Sequence, residues 1–475
     1  MAPDPISWRA IIEAMRTLFG FLVKVALGAL IACGGLWWWA GRAAGPVIEL
    51  KGPERFIGRA TSLELSVQAP DGAFSRVDVT LEQNGQSHNV FALEQQGQSQ
   101  VRQESADKLY VMRPIGKLAF PELKSGTARL VVRAARPVLY GLRHAETVVA
   151  RDLQVRLEPP RVSPVSTFHY VNHGGSEFVV YRTTPEGVTS GVRVGDKEYP
   201  GYPAAGAGIT GDAALRVAFF ALLYDQDLKT PIQLFARDEA GNEATVALDH
   251  QVFPKPYAKS RIELNDAFLE RVVPAIASAS PDEGIPTDDV LAGFLKINGD
   301  LRQKNNAAVA ALAARSGAEM RFKDAFQQLG DSQVEAKFAD TRTYVYKGKE
   351  VDRQVHLGFD LAVTAQVAIV AAHAGTVVHA ADLGIYGNCV VLDHGLGVQS
   401  LYGHLSSIGV KVGDSVEKGQ TLGRSGMTGL AGGDHLHFTM LVGGQQVTPV
   451  DWWSKQWMED RVLRKIAAAG APTAP

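Results

Sequence analysis

The chain has 475 residues, 46% of them hydrophobic and 21% charged, with a formal net charge of −2. That length exceeds one ordinary domain and points to about three, and the balanced charge argues against a nucleic-acid-binding surface or an acidic disordered tail. Its two cysteines, Cys33 in an apolar run and Cys389 in a distant predicted strand, argue against an internal disulfide and leave the compartment open.

The first predicted element spans Leu18 to Ala40, an apolar run interrupted only by Lys24 and long enough to cross a bilayer. Arg9, Arg16 and Lys24 lie towards its N-terminal side, and Trp37, Trp38 and Trp39 form an interfacial belt at the other end. The positive-inside rule then makes 1–17 a cytoplasmic N-terminus and 18–40 a transmembrane signal anchor. Everything beyond about Arg42 faces outward, which places a single-pass protein in the cell (inner) membrane with its bulk on the periplasmic side. A buried core helix is the plain alternative. A lipoprotein is the sharper one, because Leu30-Ile31-Ala32-Cys33 resembles a lipobox with Cys33 as the lipidated residue. The apolar character continues through the tryptophans, which favours the uncleaved anchor.

Residues 47–158 read as strands. Leu63, Leu65 and Val67 alternate with polar residues, as do Val77, Val79 and Leu81, and Asn84-Gly85 is a hairpin signal. Pro159-Pro160 reads as a linker, and 161–253 repeats the strand character. Two β-sandwich (Ig-like) modules are expected, the second carrying an ARDEAGN stretch at Ala236–Asn242 that resembles bacterial immunoglobulin-like domains. Neither shows a chemical constellation, so both read as spacers or as contacts for envelope proteins. Residues 257–333 read as a helical connector, with helical spacing over Ile262–Val273 and Asp289–Leu329 and a break at Gly284–Pro286. Short strands and glycine-rich turns return over 334–455, and 456–475 reads as a tail. The fold class expected is therefore mainly β, with an N-terminal transmembrane helix, two sandwich modules, a helical connector and a C-terminal antiparallel β domain.

The last block holds the chemistry. Seven of the twelve histidines fall between His356 and His437, in the segments His356-Leu-Gly-Phe-Asp360, Tyr402-Gly403-His404 and His435-Leu436-His437. A catalytic zinc takes three imidazole or carboxylate ligands and keeps a fourth position for water. Residues 435 and 437, two apart on a strand, face one side, so that one can bind metal while the other stands beside the water. His356 and Asp360 reach one metal if the chain bends at Gly358.

These three segments resemble the motifs of the lysostaphin/LytM-type zinc endopeptidases, over roughly Tyr344 to Asp451. The intervening Gly387–Gly395, Leu401–Leu405 and Gly423–Gly426 also match in order and spacing. The resemblance implies one zinc per catalytic domain, held by His356, Asp360 and His437, with His404 and His435 as catalytic residues that orient or deprotonate water and stabilise an oxyanion. It further implies peptidoglycan peptides as substrate. Tyr344 or Tyr346 is a candidate phenol donor to the oxyanion, with strand packing as the rival reading. The approach to His356, RTYVYKGKEVDRQV over Arg342–Val355, departs from the commoner glycine-rich entry. His373, His379 and His394 read as packed or surface histidines, and Asp393 as a strand end.

Two other functions compete. A non-catalytic LytM-like module that activates another wall hydrolase typically lacks some zinc ligands, whereas all five residues stand here. A biotinyl or lipoyl carrier is suggested by Val410–Gln420, but no lysine flanked by methionines is presented on a hairpin. The helical segment 257–333, by its adjacency, is a candidate cover for the active-site groove.

Overall fold

Alternating apolar residues, turn glycines and one long apolar run build the chain from strands, with helices confined to three places. The computed structural model describes residues 8–69, 73–94, 101–105, 107–362 and 364–470. Residues 1–7 of the expected cytoplasmic segment and 471–475 of the expected tail lie outside these. The molecule divides into two compact units, Met1–Pro159 with Glu239–Asn242, and Pro160–Asp238 with Glu243–Pro475.

The first unit opens with helix α1 (Trp8–Ala40), 33 residues long. Its stretch Ile11–Ala40 has mean hydropathy 2.0 and is exposed along almost all of its length, so that by length and composition it is able to cross a membrane. The rest of the unit is two sheets. Val47–Gly52, Ser62–Gln68, Lys108–Pro114 and Val101–Ser105 form one; Phe56–Ile57, Arg143–Val155, Gly126–Val138, Arg76–Gln83 and Gln86–Ala92 form the other. The alternating apolar residues Leu63, Leu65, Val67, Val77, Val79 and Leu81 are all fully buried in the core that the two sheets share. Asn84 and Gly85 both take positive φ, as a tight two-residue hairpin requires.

In the second unit, residues 160–253 form two four-stranded sheets and a parallel pair, His169–Asn172 with His250–Phe253. Strand Ser176–Thr184 is buried along most of its length because both of its faces are covered. Phe219, from its neighbour Leu215–Ala221, meets Trp452 at 5.4 Å between ring centroids, and Trp452 in turn meets Phe322 and Phe326. The second β module and the C-terminal block thus share one hydrophobic core.

The C-terminal block is centred on a long sheet in which Phe359–Ala362, His435–Val442, Val398–Leu405 and Asn388–Gly395 are neighbours. Alternation divides its two faces. Leu436, Phe438 and Met440 join the core shared with the β module, while Val391, Leu401 and Leu441 pack under helices. Those helices are α2 (Asp266–Ala279), capped by Asn265, and α3 (Val290–Lys296), capped by Asp289. A π turn at Ile297–Leu301 joins α3 to α4 (Arg302–Ala311).

Two sequence expectations are corrected here. Helical spacing over Ile262–Val273 begins too early, because Lys259–Leu264 is a strand paired in parallel with Asp340–Tyr346. Helix also stops at Arg315 rather than Leu329; beyond it Phe322 and Phe326 are drawn into the core as anchors of an irregular segment. The C-terminal residues are no loose tail as far as they are described. Trp457, Met458 and Val462 are buried, and Lys465 Nζ lies 2.9 Å from the buried Glu177 carboxylate.

Candidate metal centre

Strand register delivers the site. Asp360 stands opposite His437 on one side of strand His435–Val442, and Gly403 stands opposite it on the other. Directly paired residues of an antiparallel ladder point to the same face, so carboxylate and imidazole meet. His356 arrives at the end of strand Lys349–His356, and the chain turns at Leu357-Gly358 before Asp360. A side chain at 358 would fail: its Cβ would lie 2.5 Å from His437 Cε1 and Nε2.

His404 reaches this face by a different device. Tyr402 packs on Phe438, on the opposite face from His437, and strand alternation would send His404 the same way. Instead His404 adopts φ +63°, a left-handed backbone uncommon for a non-glycine residue. Its ring turns to within 4.8 Å of the His435 ring and 5.7 Å of the His437 ring. Strain of this kind persists where surrounding structure enforces it; here Thr428 O, 2.8 Å from His404 Nδ1, holds the ring.

Three ligand atoms converge. His356 Nε2 lies 3.0 Å from His437 Nδ1 and 3.0 Å from Asp360 Oδ1, and His437 Nδ1 lies 3.1 Å from the same oxygen. Tetrahedral zinc with bonds near 2.0–2.1 Å sets neighbouring ligands about 3.3 Å apart, so the triangle fits a metal after slight expansion. Proton placement agrees. Lys337 O takes the Nδ1 proton of His356 at 3.2 Å, leaving its Nε2 as a lone pair. His437 Nε2 is buried without a partner, and a metal on Nδ1 would place the ring proton there. His356, Asp360 and His437 are the one group of three such residues among those described that can hold a metal ion.

Burial sets the charges. It opposes ionisation of Asp360, but the positive field of His356 and hydrogen bonds from His356, His435 and His437 hold the carboxyl well below its usual range. Burial, then His435 and His437, holds His404 well below the ordinary imidazole value. Burial brings His437 down to about 4. Burial also opposes charge on His435, yet Asp360, 3.4 Å from its Nε2, raises it overall. His435 Nδ1 meets Gly433 O at 2.9 Å, as His404 Nδ1 meets Thr428 O, so both rings direct Nε2 into the cleft.

All five residues singled out in the sequence therefore come together. The remaining wall was not legible there. Arg342 Nη2 donates to Asp360 Oδ2 at 2.8 Å and fixes the carboxylate from behind; its signal was its place in the unusual approach to His356. Tyr386 is buried with its ring 5.5 Å from that of His437, its hydroxyl donating to Asn306 Oδ1 and accepting from Gln446. Arg302, at the start of α4, lines the cleft with its guanidinium donating to Asn298. Of the two tyrosines proposed as phenol donors, Tyr344 lines the cleft. Tyr346 does not, because its hydroxyl donates to Asp266 at 2.5 Å. His373 and His394 are packed, as expected. Asp393 accepts from Ser316 Oγ and Gly317 N within its strand rather than ending it.

Comparison with known proteins agrees with this chemistry. Residues 354–449 match the model of Peptidase family M23. The DD-carboxypeptidase/endopeptidase Mpg of Neisseria meningitidis serogroup B is 36% identical over 97 residues, 20% of this chain and 22% of that protein. The peptidoglycan DD-endopeptidase ShyA of Vibrio cholerae is 39% identical over 92 residues, 19% of this chain and 21% of that one. The murein hydrolase activator EnvC of Escherichia coli is 41% identical over 78 residues, 16% and 19% respectively. The chain thus spans about a fifth of the length of the curated relatives it matches. Residues 354–449 form a Peptidase family M23 (LytM-type) domain.

Proposed function

We propose that this chain is a membrane-tethered zinc endopeptidase that hydrolyses peptide bonds of bacterial cell-wall peptidoglycan from the periplasmic side. The observation that carries it is the convergence of His356 Nε2, His437 Nδ1 and Asp360 Oδ1 within 3.1 Å of one another, with His404 and His435 at the open side. Zinc in this cradle supplies Lewis acidity, which brings the pKa of water towards neutrality. The chain's own residues do the rest. His356, Asp360 and His437 are the ligands, and Arg342 holds Asp360 in place. His404, held neutral by burial, presents Nε2 as an acceptor for the attacking water's proton. His435, whose affinity for a proton is raised, donates to the oxygen that gains charge as the peptide carbonyl is attacked. The peptidoglycan substrate is supported by the names of two relatives, and the tether by the exposed apolar helix α1.

An activator without activity of its own is the second reading, favoured by the EnvC match. The complete ligand set weighs against it. Purified protein should contain one zinc per chain and release peptide fragments from isolated peptidoglycan, identified by mass, and thorough chelation should abolish release. Hydrolysis at full rate after metal removal would overturn the proposal; zinc binding without any hydrolysis would establish the activator.

A further inference from the structure

The membrane contact does not end at α1. The geometry points to the turn between strands Gly126–Val138 and Arg143–Val155 as a second membrane-seated element, its Tyr140 and Leu142 in the outer headgroup region. This rests on reading α1 as a membrane anchor. Three ties run along α1's exit and the hairpin in matching order. Gly45 lies against Glu146 and Thr147, so close that a Cβ would be 2.4 Å from Thr147 Oγ1. Ala44 O accepts from Arg136 Nε at 2.7 Å. Trp37 O accepts from Arg143 Nη1 at 2.7 Å. Passing from residue 45 back to 37 descends towards the bilayer, and passing from 147 to 143 descends beside it. The turn at 139–142 lies beyond the last tie, which is to Trp37 of the tryptophan belt.

The turn is built to expose apolar side chains there. Leu139, Tyr140 and Gly141 all have positive φ, at 52°, 56° and 88°. Tyr140 is fully exposed and Leu142 is 71% exposed. The two sit side by side at the tip of the sheet, and at a membrane interface a tyrosine ring and a leucine are favoured. The flanking cations match. Arg42 sits 3.7 Å over the Trp38 ring and Arg143 4.7 Å over the Trp37 ring, with apolar stems beside the belt and charges at headgroup level. The occupant is the bilayer surface, by continuity with the anchor. Two attachment points would fix the tilt of the first sandwich on the membrane.

The test uses the full chain with Cys33→Ser, since Cys389 is fully buried, reconstituted in vesicles of phosphatidylethanolamine and phosphatidylglycerol. Single spin labels at Tyr140→Cys, Leu142→Cys, Leu27→Cys and Asn84→Cys report collisions with oxygen, which enters lipid, and with a nickel chelate, which does not. Asn84, at the opposite end of the same sheet, should collide freely with nickel. The expected result is loss of nickel collisions with oxygen collisions retained at 140, 142 and 27. Lipid exposure at 27 with nickel access at both 140 and 142 would overturn the inference and leave the anchor standing. Nickel access at 27 would remove the anchor and the inference together. Shielding of 140 and 142 from both reagents would show a protein neighbour, a second copy included, and would equally overturn it.

Discussion

At the scale of single residues the centre divides labour through ring orientation. His437 gives Nδ1 to the triangle, whereas His404 and His435 spend Nδ1 on backbone carbonyls and keep Nε2 for the cleft. Replacing His437 with Ala should therefore remove zinc and activity together. His404→Ala should remove activity and leave zinc bound, as read by metal content after gel filtration; equal zinc loss in both would refute the assignment. Arg342 acts through Asp360. Arg342→Gln should weaken zinc affinity by about 10- to 100-fold, the usual effect of losing a partner behind a metal ligand, measured by competition with a chromophoric chelator. Two buried histidines away from the centre contribute to pH dependence. Burial lowers His169 to about 4 and His394 to about 3, while either takes a proton near 6.5 once unfolded. The unfolded chain therefore binds more protons as pH falls below about 6.5. Stability present above that pH should fall by about 1.4 kcal/mol per pH unit for each group. Urea unfolding of His437→Ala, in which zinc release plays no part, should show a lower midpoint at pH 5 than at pH 7, and an unchanged midpoint would contradict this.

At the scale of elements, the central strand His435–Val442 serves two masters. Its even-numbered residues pack on the core shared with the second β module, and its odd-numbered ones carry the histidines and then meet the helices. The helical segment is accordingly a wall of the site, since Asn306 holds Tyr386 and Arg302 lines the cleft. It is also core: Phe294, Ile297 and Val309 are fully buried. The C-terminal helix Arg464–Gly470 is tied down by Lys465, which meets Glu177 Oε1 and Phe178 O. Burial raises Glu177 and lowers Lys465, and each opposes the shift of the other. Lys465→Met should destabilise the second unit by about 3–5 kcal/mol by taking the nearest cation from a buried carboxylate. Adding Glu177→Gln should recover a large part of this in urea unfolding, and additive losses would show that the pair is not the cause.

At the scale of the whole molecule, the second unit is indivisible. Trp452, fully buried, joins Phe219 of the β module to Phe322 and Phe326. A fragment of 334–475 would expose this cluster and lose Phe322 and Phe326, so it should express as aggregate. A fragment of 160–475 should instead unfold in one transition, with calorimetric and van't Hoff enthalpies agreeing. Two separate transitions would restore the picture of independent modules strung on linkers.

The sequence by itself singled out the candidate site residues and the strand-rich character, because each motif and each strand has a local pattern. Period-two alternation names the buried face of a strand, as in Leu63, Leu65 and Val67. His435 and His437 share a face for the same reason, and glycine at 358 permits the bend beside them. Tertiary structure decided the rest. Ile262 lies in a strand because Asp340–Tyr346 lies beside it, and a parallel partner some eighty residues away leaves no local trace. His404 faces the candidate metal site only because its backbone turns left-handed against Thr428. Arg342, Arg302 and Tyr386 reach the cleft from three separate elements. The fusion of β module and peptidase depends on aromatic packing between distant segments, where each ring viewed alone is simply apolar.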